Sequence, residues 1–439
     1  MAQHQPVLLA NVNRPDSEKI ATYLRYGGYD ALRKALKMPP ETIIAEVKAS
    51  GLRGRGGAGF PTGVKWDFMP KDAPVKYLAV NTDEGEPGTF KDRLIVERDP
   101  HSILEGVIIS AYAIGAHRAF VYIRGEFFLG VKRWIKAISD AYQHGFLGRD
   151  ILGSGFDLDV SVHRGAGAYI CGEETAMLES LEGKRGVPRA KPPYPAQKGM
   201  WNKPTLVQNV ETLANIPHII LRGAKWHSDI GTEKSKGLKI FCVSGHVNRP
   251  GNYELPLGTR LKEIIYEHAG GVRMGRGIKA IIPGGASTPI ISAEMVSTPM
   301  AFETLQAAGT ALGTGAVIVM DETTDMVEVV RRITRFFVHE SCGNCLPCRV
   351  GGKRMLEHLE KLAAGTGSKQ DIEDLEYLAG GIRGRTFCPM GTGMVEPVLS
   401  ALRLFRDEFV KGCEAAHTLF EMKEKHHGQS ENPGSRRRQ

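Results

Sequence analysis

FDLDVSVHRGAGAYICGEETAMLESLEG, residues 156–183, is the stretch on which the fold turns. Phe156, Leu158, Val160 and Val162 alternate with Asp157, Asp159, Ser161 and His163, the period-two pattern of a half-buried strand. The chain then passes through glycines into a helix predicted to open near Gly172. A strand that enters a helix through bare backbone puts free N–H groups and the positive end of the helix dipole at one point, a natural anion site. Glu173 and Glu174 fall in the first turn of that helix, where they either compensate the dipole or hydrogen-bond a bound nucleotide.

Outward from this unit the same alternation continues. KYLAVN (76–81) and AFVYIR (119–124) read as short buried strands, and Val131, Trp134, Ile135, Ile138 and Tyr142 recur at helical spacing. Residues 1–230 are therefore expected to form an α/β domain. GTEKSKG (231–237) reads as a linker. Strands at LKIFCVSG (238–245), IKAIIPGG (278–285) and AVIVMD (316–321), with a short helix from Thr259 to Gly270-Gly271, predict a small α+β domain over 231–325. From Met326 the apolar spacing turns helical, through Val330, Phe337, Met355, Leu359, Val398 and Leu402. This predicts a helical bundle over 326–425, with a solvated tail over 426–439.

Composition narrows the function. The 439 residues are 42% hydrophobic and 24% charged, as in an ordinary globular protein. The N-terminus lacks the basic and long apolar regions of a secretory signal, and no apolar run approaches the roughly 20 residues of a membrane span. An intracellular protein without direct membrane insertion is expected. The net charge of +8 is scattered, apart from Arg436-Arg437-Arg438 in the tail, which favours an anionic cofactor over nucleic acid. Glycine supplies 52 residues, well above the usual ~7%, concentrated in a few loops.

Cys342-x-x-Cys345-x-x-Cys348, with Cys388-Pro389 further on, is the sharpest chemical signal. Three thiolates at every third position can grip three corners of a cubane, the fourth ligand arriving from a distant loop. Structural zinc more often uses two separated pairs, and is the lesser alternative beside unligated thiols. Cys171, Cys242 and Cys413 read as buried reduced thiols. GLRGRGGAGFPTGVKW (51–66) contains G-x-G-x-x-G, but a helix-like segment precedes it, so the ordinary dinucleotide fingerprint fails on context. It remains a glycine loop carrying Arg53, Arg55 and Lys65 for phosphates, beside Phe60, Trp66 and Phe68 for stacking; a flexible basic loop is the plain alternative. NTDEGEPGTFKDR (81–93) crowds Asp83, Glu84 and Glu86 just after a strand, where parallel sheets bind ligands. KPTLVQNVETLAN (203–215) groups Gln208, Asn209, Glu211 and Thr212, with a helix N-terminus as the plain reading.

Together and in this order, the glycine loop, GAGAYICGEET, NVETLAN and CGNCLPC…FCP resemble the NADH-oxidising, flavin-carrying subunit of respiratory complex I, the 51-kilodalton type. The resemblance covers about residues 15–425. It implies a Rossmann-like FMN and NADH domain, a ubiquitin-like (β-grasp) domain and a helical bundle holding a [4Fe–4S] cluster. It implies hydride transfer from NADH to FMN, then single-electron transfer to the cluster and on toward quinone. Gly54, Arg55, Gly56, Gly57, Ala58 and Gly59 would form the FMN loop, continued by Pro61, Thr62, Gly63 and Lys65. Asn81, Asp83, Glu84, Gly167, Tyr169, Gly172, Glu173 and Glu174 would line the cofactor from one side, and Asn209, Glu211 and Thr212 from the other.

Phe60, Phe68 and Tyr194 would frame the adenine of NADH, with Lys191 beside them and Glu86 near the nicotinamide as the catalytic candidate. Pro389 would lie against the flavin, and Cys342, Cys345, Cys348 and Cys388 would bind the cluster. The implied partners are a [2Fe–2S] subunit of the 24-kilodalton type and a large iron–sulfur subunit, in a cytoplasmic peripheral arm at the inner face of the membrane. Two positions depart from the common pattern: Gln208, often Asn, and Tyr194, often Phe. Gln208 also occurs in relatives attached to soluble hydrogenases, so a diaphorase subunit of an NAD-linked hydrogenase or formate dehydrogenase is the rival reading.

Overall fold

Three short apolar runs and an alternating edge strand, Asp159–Arg164, build a fully parallel sheet. In this computed structural model, which describes residues 5–413, the strands are β1 (Tyr77–Thr82), β2 (Arg118–Ile123), β3 (Asp159–Arg164) and β4 (Thr205–Asn209). Their order is β3-β2-β1-β4, with every neighbouring pair parallel. Leu78, Val80, Val121 and Leu206 are wholly buried, as expected where helices cover both faces. The chain builds from β1 out to β3, then returns to the other side of β1 with β4. That reversal leaves a crevice at the carboxyl ends of β1 and β4, where Asn81 and Asn209 stand opposite each other in register.

The helix Pro100–Ile114, between β1 and β2, is buried along nearly its whole length. Its buried polar residues find partners, Glu105 accepting from the Tyr23 hydroxyl and from Tyr29 and Leu32 N–H, and among the described residues no helix is long and apolar enough to cross a membrane. It packs backbone-close against Val210–Arg222. A Cβ on Gly106 would stand 2.1 Å from the Leu213 carbonyl oxygen.

Some boundaries differ from those expected. β3 begins at Asp159, because Leu158 instead pairs with Gly148 in an isolated antiparallel bridge. The segment after β3 forms a tight turn of helix, Tyr169–Gly172, before the α-helix Glu174–Leu181. The first part of 203–215 is a strand, β4, and its helix starts only at Val210.

Residues 231–237 do not form an open linker. Gly237 N–H bonds the Ile230 carbonyl at 2.8 Å, and Ser235 is buried with its hydroxyl donating to Glu303 at 2.5 Å. A second sheet follows: β5 (Leu238–Gly245), β6 (Gly251–Pro256), β7 (Ile278–Ile282), β8 (Ile291–Ser292) and β9 (Ala316–Asp321). Their order is β6-β5-β9-β7-β8, with β5 and β9 parallel and the other pairs antiparallel. Phe241, Val243, Leu261, Ile264, Ile265, Val317 and Val319 form its own core. Both sheets lie in one compact unit that ends at Glu322.

The second unit contains the helices Met326–Glu340, Gly352–Ala363, Lys369–Ile382 and Met390–Leu404, each packed on two of the others. Val330, Phe337, Met355, Leu359, Val398 and Leu402 are buried at their contacts. Lys369–Ile382 is an addition to the expected pattern. It opens on a capping box: the Ser368 hydroxyl accepts from Asp371 N–H at 3.3 Å, and the Asp371 carboxylate accepts from Ser368 N–H at 2.9 Å. The end of the expected bundle beyond Cys413, and the tail with Arg436–Arg438, lie outside the described residues.

Candidate active site

The glycine loop closes on itself before it faces the crevice. Gly54 N–H bonds the Phe60 carbonyl at 2.8 Å, and Arg53 pairs with Pro61 in a bridge. Arg55 N–H donates to the Thr212 hydroxyl at 2.8 Å, which ties the loop to the helix after β4. Gly56 then passes against Asn209, where a Cβ would stand 3.0 Å from the Asn209 Cβ. Among the described residues, none accepts a hydrogen bond from the amides of Gly56, Gly57, Ala58, Gly59 or Phe60. A run of unengaged backbone donors in a glycine turn is an anion cradle. This is the fit expected for the phosphate of a nucleotide cofactor.

Lys65 follows, on the short helix Thr62–Asp67, within hydrogen-bond distance of the Glu174 carboxylate and the Val207 carbonyl, both at 2.9 Å. Glu174 is also reached by Lys191 at 2.8 Å, and Lys191 bonds Glu173 at 3.0 Å. Burial pushes the Glu174 carboxyl up, but the two ammonium groups outweigh it and hold it at about 2. The pairs link the glycine-loop helix, the helix Glu174–Leu181 and the loop carrying Tyr194.

At the end of β1, the Asn81 amide donates to the Gly172 carbonyl at 2.9 Å, while its oxygen accepts from Asp83 N–H at 3.1 Å. Gly167 has a positive φ of 83°, and a Cβ there would meet the Glu126 carboxylate at 2.6 Å. Tyr169 donates its hydroxyl to Glu86 at 2.7 Å, and Ser287 N–H, from the second sheet's domain, donates to the other oxygen at 2.7 Å. Burial raises the Glu86 carboxyl above its ordinary range, opposed by these hydrogen bonds. Phe60, Phe68 and Tyr194 keep about half of their surface, 46%, 58% and 56%. The Phe60 and Phe68 rings lie 6.1 Å apart, which leaves apolar faces open for stacking.

Several expected site residues lie elsewhere. Glu84 and Glu211 do not reach the opening. The Glu84 carboxylate caps the helix Lys91–Arg98, accepting from Asp92 and Arg93 N–H at 2.8 and 2.9 Å, and burial lifts it to about 7. Glu211 is wholly buried between Lys91 and Lys239, at 2.9 and 2.6 Å, and also accepts from Ile240 N–H. Asp92, beside Lys91, accepts from the Asn209 amide at 2.6 Å, so this buried ion network backs the site without facing it. Trp66 is core, 1% exposed, and offers no stacking face. The N-terminus of Glu174–Leu181 is not a vacant anion site either, since the Glu173 carboxylate accepts from Thr175 and Ala176 N–H. Arg53 turns back to bond the Gly59 carbonyl at 2.6 Å.

The buried Arg55 guanidinium donates to the Lys236 carbonyl at 2.7 Å; its Nε and one Nη have no partner among the described residues. Burial lowers it to about 10, with Glu211 pulling the other way.

In the second unit, Cys348 is buried and accepts or donates a bond with Ser341 at 3.2 Å. Phe387 N–H points at the Cys345 sulfur at 3.4 Å, which brings the segment carrying Cys388 to the Cys342–Cys348 turn. Backbone N–H···S bonds of this kind stabilise thiolates on iron. Among the described residues, no group of three His, Cys, Asp or Glu is placed to hold a single ion. A cubane binds each thiolate through its own iron, so its ligands need not converge on one point. Pro389 caps the helix Met390–Leu404. Cys171, Cys242 and Cys413 are buried thiols, as the sequence predicts.

Comparison with known proteins assigns each region of the chain to a family. Residues 47–218 match the Nuo51 FMN-binding domain, 239–319 an SLBB domain, and 328–412 the NADH-ubiquinone oxidoreductase-F iron-sulfur binding region. The F 2 subunit of NADH-quinone oxidoreductase from Rhizobium meliloti is 55% identical over 95% of this chain and 99% of its own. The chain belongs to the family of NADH-quinone oxidoreductase F subunits. The F subunit of Mycobacterium bovis is 50% identical over 95% of both chains. As a member of this family, the chain is an NADH-oxidising flavoprotein subunit that carries FMN and a [4Fe–4S] cluster. Among solved structures it is similar to an NAD+-reducing [NiFe]-hydrogenase in the air-oxidised state. The TM-score is 0.81 at 37% identity, over 93% of this chain and 67% of that one.

Proposed function

We propose that the amides of Gly56–Phe60, with Lys65 on the helix that follows them, hold the phosphate of FMN, and that this loop is the anchor of NADH oxidation. The unengaged run of backbone donors carries the reading. When bound, FMN accepts a hydride as a two-electron unit and the cluster accepts electrons one at a time.

The chain's own residues position and exclude. Gly54, Arg55, Pro61, Thr62 and Gly63 shape the loop; Asn81, Asp83, Gly167, Tyr169 and Gly172 close the β1 side; Asn209 and Thr212 close the β4 side. Phe60, Phe68 and Tyr194 frame the adenine, Lys191 and Glu173 hold the adjoining loop, and Glu86 orients the nicotinamide end. With FMN and NADH bound, no side chain would be needed as general acid or base, and what these residues would supply is positioning. Cys342, Cys345, Cys348 and Cys388 ligate the cluster.

In this reading the described part of residues 1–230 forms a Rossmann-like FMN and NADH domain, 231–325 a β-grasp domain and the described part of 326–425 a four-helix bundle. The partners are a [2Fe–2S] subunit and a large iron–sulfur subunit. The assembly is the peripheral arm of a complex at the inner face of the cytoplasmic membrane, delivering electrons toward quinone. Likeness to the solved hydrogenase supports one rival, a diaphorase subunit of an NAD-linked hydrogenase, which shares every step assigned to this chain.

Titrating flavin-stripped protein with FMN tests the anchor. Lys65→Met is expected to weaken binding by about tenfold, the order of one lost charge-assisted contact. Riboflavin, which lacks the phosphate, should show no difference between wild type and variant. Equal FMN affinities would refute the assignment.

A further inference from the structure

The second sheet's domain supplies no residue of the glycine loop or of the cysteine turn, yet it touches both the glycine loop and the loop carrying Glu86. Ser287 N–H bonds Glu86, and Ala286 N–H bonds the Pro87 carbonyl at 3.3 Å. Thr314 and Thr89 share a hydrogen bond of 2.6 Å between their hydroxyls. A further contact is on the glycine loop. Phe302, at the start of the helix Phe302–Ala307, is half-buried against that domain's core and turns its ring outward to the loop.

Its ring fills the space that a side chain at Gly59 would need, a Cβ there standing 2.3 Å from the ring edge. Gly59 also has a φ of 66°, so the ring and the backbone both require glycine. The Arg53 guanidinium carbon lies 3.7 Å from the centroid of the same ring, while Arg53 Nε holds the Gly59 carbonyl at 2.6 Å. Arg53 precedes the run Gly56–Phe60 and Gly59 lies within it, so the ring touches the loop on both strands of its turn. Phe302 itself is fixed from behind, its N–H donating to the buried Ser235 hydroxyl at 3.0 Å.

We propose that Phe302 is a positioning residue for the flavin: by stacking on Arg53 and packing on Gly59 it holds the glycine loop in its anion-binding shape. The domain over 231–325 is thereby a working part of the cofactor site. The inference rests on the reading that this loop takes the FMN phosphate. It differs from that reading in placing part of the affinity on a residue remote from the phosphate.

The test uses the full chain, stripped of flavin and titrated with FMN by fluorescence quenching. A cation–π contact of this geometry and the packing it orders correspond to about a tenfold change in affinity. Phe302→Ala is therefore expected to raise the FMN dissociation constant about tenfold, and Phe302→Tyr, which keeps the ring, to stay within about twofold of wild type. Hydrogen exchange of residues 53–61 in the flavin-free protein should quicken in the alanine variant while exchange in the helix Pro100–Ile114 stays slow. Should Phe302→Ala fail to fold, Arg53→Met leaves the second domain's core untouched and is expected to weaken FMN binding comparably.

The proposal is overturned if the folded alanine variant, or Arg53→Met, binds FMN as wild type does, or if the tyrosine variant falls with the alanine one. Absence of FMN binding by wild type would instead overturn the anchor reading, leaving the exchange comparison to decide whether Phe302 holds the loop.

Discussion

Replacing Glu86 with glutamine separates charge from shape at the position proposed for the nicotinamide end of the site. The Glu86 carboxylate accepts from the Tyr169 hydroxyl and from Ser287 N–H, each at 2.7 Å. An amide can keep both partners: its oxygen accepts from Ser287, and its NH2 donates to Tyr169, whose hydroxyl can reverse. The scaffold therefore survives, and what disappears is the charge-assisted part of two bonds.

Hydrogen bonds to an ionised group are roughly twice as strong as neutral ones, so about 1 kcal/mol is lost at each, about 2 kcal/mol in all. If that energy orients the nicotinamide, kcat/KM for NADH should fall by about thirtyfold. FMN content should stay near wild type, because neither partner belongs to the glycine loop. The assay is anaerobic NADH–ferricyanide kinetics across pH, with flavin quantified in the same samples. Burial holds the Glu86 carboxyl above the usual carboxylate range, so wild-type kcat/KM should fall with acid from above that range, and this limb should vanish in Glu86→Gln. Flavin loss with unchanged kinetics in the retained fraction would refute the reasoning.

Two further outcomes are expected. Glu174, held at about 2 by Lys65 and Lys191 against the upward push of burial, is depressed in the folded state. It therefore adds stability that is full above its unfolded value and fades as pH falls toward 2. Urea unfolding should find Glu174→Gln less stable than wild type by up to about 3 kcal/mol at neutral pH. The two proteins should converge near pH 2, and a gap independent of pH would contradict the ion-pair account. Cys388→Ala should abolish the cluster's EPR signal while retaining flavin and some NADH–ferricyanide activity. An undiminished signal would remove Cys388 from the ligand set.

What the sequence discloses about this site follows a physical divide. Local patterns transmit well: β1 and β2, the helix Phe128–Gln143, the glycine loop and the cysteine turn all follow from spacing within a few residues. Features that depend on distant partners do not. Glu211 looks like a ligand of the cofactor because its neighbours Asn209 and Thr212 are at the site; Lys91 and Lys239, which bury it, lie far away in sequence. Glu84 stands between Asp83 and Glu86 in the chain, yet it turns inward to cap the helix that follows.

Trp66 shares the glycine loop's aromatic character but faces the core one turn into its helix. Glu173 is read from the sequence as dipole compensation in a first helical turn; the structure seats it just before the helix, as its N-cap. The helix Lys369–Ile382 carries a comparable signal in Ser368-x-x-Asp371. The contacts of the second sheet's domain with Glu86 and the glycine loop have no signature in the sequence, because they pair residues more than two hundred positions apart.

This chain takes electrons from NADH onto a flavin and delivers them to its own cluster. An anaerobic NADH titration of the purified full chain, followed by visible absorbance and low-temperature EPR, tests it most directly. Bleaching of the flavin band at stoichiometric NADH, with a reduced-cluster signal emerging on further reduction, is the predicted result. A protein that retains flavin and cluster but shows neither change on adding NADH would contradict the account.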